Sequence, residues 1–517
     1  MDLDNTDSNG APEAEKSAPR KRAPRRVNSE TLATKATDSS EATNQESTPA
    51  AANDAKSSDA PAEGAPERPR RRRASGSTKD DKSEPKSEAN DASPESDNGD
   101  DNSEDNGEGG GYNRNRGRGR GRDRRRGRGG YSEDGEPEIS DDDVLIPIGG
   151  ILDVLDNYAF VRTQGYLPGP TDVYVSLGQV KKYNLRKGDA VIGAIRQPRE
   201  GEHQGRQKYN ALVSIDSVNG QTVDEAASRV EFSALSAVYP TQRYLMETTS
   251  DETSGRMVDV FAPVGKGQRG VVIGAAGSGK STLLNSLAHA VAVNAPDAHI
   301  MMVLVDEQPE AITEIAREAK GEVIASTFDR SSDDHTTIAE LAIERAKRLV
   351  ELGHDVVVLF DSLTRLARAY QQSIGGTSRG GSDTAWVHPT KKLFGAARNV
   401  DGGGSLTILG TLVTGTGLAV DDVVASEISS TATWELHLDA GCASSRMFPA
   451  VDIAATRTKR DDLLLASDEA AAIAGIRKSM GSLDTSAALT VALEAMRKSS
   501  SNVEFLVAVG KQASTSN

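Results

Sequence analysis

The string VVIGAAGSGKSTLL (271–284) sets Gly274, Gly279, Lys280 and Ser281 in the spacing G-x-x-x-x-G-K-S. Such a turn points backbone N–H groups at an anion from the start of a helix, and its lysine adds a mobile positive charge. Val271–Ile273 reads as a short apolar strand, and the residues from Ser281 on place Leu283, Leu284 and Leu287 on one helical face. The chemistry implied is nucleotide binding, with Gly274, Gly277, Gly279, Lys280, Ser281 and Thr282 around the phosphates and Ser281 ligating Mg²⁺. Two further apolar runs end in carboxylates, MMVLVDEQPE (301–310) at Asp306 and Glu307 and VVVLFDSLTRLARAY (356–370) at Asp361. An apolar strand ending in Asp is where a phosphate-binding fold orients the metal's water shell. Asp361 alone could be the N-cap of the helix starting near Leu363, the commoner role for Asp before a helix, but the compatible strand ends together favour the site. Glu307 is the candidate to polarise an attacking water.

These residues need a frame. From Gly270 onward apolar strands alternate with helical stretches, the pattern of βα units and a mostly parallel sheet. Before it, residues 144–220 carry short apolar or alternating runs cut by Gly-Gly, Pro-Gly-Pro and Lys-Gly-Asp turns, enough for the five strands of a small barrel. Residues 221–265 are expected to connect the barrel to an ATPase domain at 266–517. Residues 1–143 have almost no aliphatic clusters and are expected to be disordered.

Composition narrows the function classes. The 517 residues carry a formal net charge of -16, only 36% are hydrophobic, and no run of 18 apolar residues exists to span a membrane. The start MDLDNTDSNG is acidic and reads as no secretory signal, and the single cysteine, Cys442, fits a reducing, cytoplasmic setting without a disulfide framework or cysteine zinc site. Arginine is concentrated in two blocks, Arg68 to Arg73 and the arginine-glycine repeat GGGYNRNRGRGRGRDRRRGRGG (109–130). Such a repeat is either a solvating tail or a flexible RNA ligand; the choice of arginine over lysine favours RNA.

In the barrel segment, Tyr158 and Phe160 alternate at i and i+2 and therefore share a face. They are core residues or, with Arg162 beside them, a base-stacking surface. At this point the order of motifs becomes specific. The strings DNYAFVRTQGYLPGPTDVYVS, YNLRKGDAV, VDEQPEAITE, VIASTFDRSSDDH, DSLTRLARAY, KKLFGAARNVDGGGSLTI and RMFPAVD occur in order. On these, the chain from about residue 144 to 465 resembles the bacterial transcription termination factor Rho family.

The resemblance implies an α/β fold: a RecA-like P-loop ATPase core preceded by a small all-β OB-fold (cold-shock-like) RNA-binding domain. It implies a homohexameric ring that binds ATP and Mg²⁺, moves 5′ to 3′ on single-stranded nascent RNA and releases it from RNA polymerase and elongation factors, with no membrane involved. The matching RNA residues are Tyr158, Phe160, Arg162, Asp172, Tyr174, Lys208 and Tyr209 in the barrel, and Arg379, Lys391 and Lys392 in the channel loop. In the motor, Lys280, Ser281, Glu307 and Asp361 match the phosphate, Mg²⁺, catalytic and acidic-strand positions. Arg365 matches an arginine between the ATP site and ring interior, Phe448 stacks on adenine, and Arg446 lies where a neighbouring subunit contributes charge. The chain departs from the pattern at four places, one being that a small helical subdomain often preceding the barrel is not visible. Gly277 stands where a lysine is usual, Gly417-Leu418-Ala419-Val420 replaces a lysine-bearing loop, and Lys459, flanked by Arg457 and Arg460, occupies the arginine-finger position. Two other readings remain open: a related ring ATPase of the rotary or secretion type, and an ATP-binding RNA regulator with weak or lost motor activity.

Overall fold

Short strands with one apolar face come first among the described residues. The computed structural model describes residues 143–197, 209–374 and 384–515, all within the unit Arg118–Asn517. The arginine-glycine tail, Lys208 and Arg379 lie outside the described residues. Strands β1 (Leu145–Val154), β2 (Ala159–Arg162) and β3 (Val173–Val175), helix α1 (Leu177–Lys182), then β4 (Ala190–Arg196) and β5 (Leu212–Val218) form an antiparallel sheet ordered β3-β2-β1-β4-β5. A parallel bridge between Tyr174 and Ala211 joins the two edges, so the sheet closes into a barrel. Leu152, Val161, Val173, Val175, Val191, Leu212 and Val218 fill its interior. Gly150 permits the tight crossing of β1 and β2: a Cβ there would stand 2.1 Å from the Arg162 carbonyl oxygen. Helix α1 starts on a reciprocal cap between Ser176 and Gln179.

The second body is a sheet wound with helices on both faces. After α2 (Val223–Ala227), β6 (Ala237–Val238) and β7 (Arg243–Tyr244) come α3 (Thr253–Phe261), β8 (Val264–Gly265), β9 (Arg269–Gly274), α4 (Lys280–Asn294) and β10 (His299–Glu307). Then follow α5 (Pro309–Glu318), β11 (Glu322–Thr327), α6 (Ser332–Glu351), β12 (Asp355–Asp361), α7 (Leu363–Ile374), α8 (His388–Phe394), β13 (Arg398–Val400) and β14 (Ser405–Val413). The chain finishes with α9 (Ala419–Ser429), β15 (Trp434–Leu438), α10 (Ala440–Ser444), β16 (Arg457–Thr458), α11 (Ser467–Met480), α12 (Thr485–Arg497) and α13 (Asn502–Thr515). The main path of the sheet is β11-β10-β12-β14-β9-β15-β16, parallel from β11 to β15. Its strands are buried on both faces, which is why they read as unbroken apolar runs. Ligands of such sheets sit beyond the carboxyl ends of the strands, and Gly274, Glu307 and Asp361 are all at those ends.

The segment expected as a connector packs rather than links. Met246, Met257, Val258, Phe261 and Val264 belong to the large core on one face of the sheet. Arg256 in α3 is fully buried and donates to the carbonyls of Met496 (2.7 Å) and Ser499 (2.9 Å), satisfying the C-terminal end of α12. Among the described residues no helix is long and apolar enough to cross a membrane.

Candidate nucleotide and RNA sites

The turn after β9 builds a phosphate cradle. Gly274 can have no side chain, since a Cβ would stand 2.5 Å from Ser278 Oγ and 3.0 Å from Leu438 Cβ. Gly277 and Gly279 hold φ of 76° and 92°, a region that side chains disfavour, and α4 begins immediately after Gly279. Lys280 is 8% exposed, and its Nζ donates to the carbonyls of Gly274 (3.0 Å) and Ala275 (2.7 Å). Burial pulls its pKa below the ordinary lysine value, opposed by the charge of Asp361 and assisted by that of Arg365. The cleft in front measures about 640 Å³ and is walled by the turn, Asp361, Arg365 and Phe448. The Phe448 ring is 42% exposed and packs beside Gly279, 3.4 Å from where a Cβ would be, leaving its face free for a planar group.

The side chain at the start of α7 that accepts from its backbone is Ser362, whose Oγ takes Arg365 N–H at 3.1 Å, and Asp361 points elsewhere. Its Oδ2 accepts from Ser281 Oγ at 2.6 Å and its Oδ1 from Thr411 Oγ1 at 2.6 Å, so it is aimed across β14 towards the phosphate turn. Thr411 was missed in the sequence; its signal is a hydroxyl within the apolar run of β14. Glu307 follows Asp306, whose φ is 58°, at a register shift between β10 and β11. That bulge re-aims the strand end. The Glu307 carboxylate is paired with Arg365, which itself lines the cleft.

The barrel's outer surface carries an aromatic cluster. Phe160 lies opposite Tyr174 in the β2–β3 ladder. Its ring centroid is 4.9 Å from Tyr209, 5.6 Å from Tyr158 and 5.9 Å from Tyr174, each in an edge-to-face arrangement. Tyr158 is 45% exposed. Arg162 and Asp172, expected at the same surface, are instead buried, at 5% and 3% exposed. Arg162 donates to Asp153 Oδ2 (2.5 and 3.1 Å) and to Asp172 Oδ2 (2.7 Å), because a buried guanidinium requires charged partners on both ends. In this cluster Asp172 Oδ1 and Asp153 Oδ1 are buried without a hydrogen-bond partner among the described residues.

Comparison with known proteins agrees with both halves. The family described as "Rho termination factor, RNA-binding domain" matches residues 148–224, and "ATP synthase alpha/beta family, nucleotide-binding domain" matches residues 255–457. Transcription termination factor Rho of Streptosporangium roseum is 44% identical over 368 residues, covering 71% of this chain and 92% of that protein. The chain belongs to the transcription termination factor Rho family. Rho of Streptomyces lividans is 51% identical over 383 residues and Rho of Micrococcus luteus 52% over 386. These alignments cover 74% and 73% of this chain but 54% and 56% of those relatives, so the chain spans about half the length of these two.

Within this Rho-family frame the remaining expected residues fall away from the chain's own cleft. Arg446, with φ of 59°, is exposed beyond α10. Arg457 spends its charge on Glu435 (2.8 and 2.9 Å) and Arg460 on Asp462 (2.9 Å). Lys459 between them is exposed and makes no ion pair among the described residues. On α8, Lys391 is tied to Glu427 at 2.7 Å, whereas Lys392 is exposed.

Proposed function

We propose that the chain is an RNA-dependent ATPase that translocates 5′ to 3′ on single-stranded nascent RNA, in a homohexameric ring in the bacterial cytoplasm, and terminates transcription by releasing RNA from RNA polymerase. The observation that carries this reading is the union, in one ordered body, of a phosphate cradle with an acidic strand end and a barrel bearing a cluster of four aromatic rings. Lys280 and the backbone of 277–281 hold the β- and γ-phosphates, and Phe448 packs on the base. Ser281 and Asp361 present hard oxygen donors side by side, the donor set that suits Mg²⁺, which when bound neutralises phosphate charge. Glu307 orients the attacking water once Arg365 turns from it to the phosphates. Lys459 and Arg446 are the charges available to a neighbouring subunit's nucleotide, which makes turnover depend on ring closure. Lysine keeps the charge of an arginine finger without its planar fork. Tyr158, Phe160, Tyr174 and Tyr209 stack on bases, Arg162 and Asp172 support that face from beneath, and Lys208, Arg379 and Lys392 contact the backbone.

A second reading, an ATP-binding RNA regulator with a weak motor, is favoured by one observation. The loop before α9 runs Thr-Gly-Thr-Gly-Leu from Thr414, carries no cation and presents Leu418 at 52% exposure. Displacement of DNA from an RNA–DNA duplex with an unpaired 5′ RNA overhang separates the two. ATP-dependent displacement supports the translocase, and RNA-stimulated hydrolysis without displacement supports the regulator.

A further inference from the structure

Tyr166, with Ile151 and Leu167, packs the barrel against the motor's core, and a set of ion pairs joins the two beside them. Asp189, fully buried, takes Arg229 Nη2 on both oxygens (2.7 and 2.6 Å), and Arg229 Nε reaches Glu351 at 3.2 Å at the end of α6. Gly188 lies on the backbone of α6, where a Cβ would meet Arg345 N at 2.5 Å. This turn therefore cannot slide. One link beside it is different: Lys187 Nζ stands between two carboxylates, 3.4 Å from Asp153 Oδ1 and 3.8 Å from Glu340 Oε2, with its side chain 26% exposed.

Each of those carboxylates leads to a site. Asp153 is the partner of Arg162, whose guanidinium carbon is 5.4 Å from the Phe160 ring centroid and whose other end holds Asp172. Glu340 Oε1 accepts from Tyr370 OH at 2.8 Å. Tyr370 is 5% exposed in α7, the helix that also carries Arg365, the partner of Glu307.

We propose that Lys187 and Glu340 are positioning residues that convey occupancy of the aromatic barrel face to the Glu307–Arg365 pair. The proposal rests on the functional reading above, with RNA on the barrel and ATP in the cleft. A base stacked on the Phe160 ring, which lies 5.4 Å from the Arg162 guanidinium, shifts that guanidinium and so alters the neutralisation of Asp153. Asp153 is 1% exposed, and a buried carboxylate must keep positive partners. Lys187 then closes on Asp153 and leaves Glu340. The Tyr370–Glu340 contact readjusts, α7 shifts with it, and Arg365 releases Glu307. The ammonium shared by two acids is the two-state element that both sites bias.

The test uses the full chain as wild type, Lys187→Met, Glu340→Gln, their double, and Tyr370→Phe. ATP turnover is measured with and without polycytidylate, together with polycytidylate affinity by anisotropy and the thermal unfolding midpoint. The wild type is stimulated by polycytidylate. Each single variant loses about fivefold in that stimulation, with RNA-free turnover, RNA affinity and unfolding midpoint unchanged. The double falls no further than the worse single, because both substitutions cut one path. Undiminished stimulation in the variants overturns the link alone, as does a loss that merely follows weakened RNA binding or a lowered midpoint. A wild type that RNA does not stimulate overturns the functional reading and the link with it.

Discussion

Replacing Lys280 by Met keeps the buried stem and removes the ammonium, which separates binding from stability. Its two present partners are neutral carbonyls, and a nucleotide would replace them by phosphate oxygens. A hydrogen bond to a charged group contributes about 1.5–3 kcal/mol, so nucleotide affinity falls roughly tenfold to 150-fold at about 1.4 kcal/mol per decade. Stability behaves differently. Burial holds the Lys280 pKa below its unfolded value, so the cation is less favourable in the folded chain. That penalty is fully present below the folded pKa and disappears as pH rises through it towards the unfolded value. Lys280→Met therefore leaves stability at neutral pH unchanged or raised, and removes this residue's gain at alkaline pH. Titration with a fluorescent ATP analogue and urea unfolding between pH 7 and 10 read both quantities. Affinity equal to wild type in a folded variant would refute the phosphate assignment.

Three further outcomes follow from the same contacts. Phe160→Ala weakens oligocytidine binding by about 1–3 kcal/mol per stacked base while leaving the slope of affinity against salt unchanged, read by anisotropy at several salt concentrations. A reduced slope would mean that the cluster orients phosphate contacts instead. Glu351→Gln leaves Arg229 and Arg348 short of a buried partner and costs about 3 kcal/mol, measured by urea denaturation; an unmoved midpoint contradicts the ionic junction. His335, bonded through Nδ1 to Ser326 Oγ at 2.7 Å, is held below the usual histidine range by burial. The stability it contributes is present above the unfolded pKa and lost as pH falls through the folded value. Acid unfolding that is identical in His335→Gln would exclude it.

The phosphate turn and the strand ending at Asp361 were legible because their conformations are locally dictated: glycines at positive φ, a lysine at a helix start, apolar runs that can only be buried strands. The barrel was legible from its turns and alternation. What escaped depends on partners far along the chain. Arg162 reads as a surface cation until Asp153 and Asp172 are folded around it. Glu307 reads as a free base until Arg365 pairs with it across 58 positions. Residues 221–265 read as a connector because short amphipathic stretches do not announce which core they enter. Lys187 and Glu340 carry no local signal, since two ordinary surface charges become a junction only when barrel meets α6.

ATP turnover by the purified full-length chain, with and without unpaired polycytidylate, tests the central claim most directly: that a nucleotide cleft and an RNA face on one body act together. The account predicts low turnover alone, strong stimulation by the polymer, and none in Lys280→Met. Turnover indifferent to the polymer, with nucleotide bound, would contradict it.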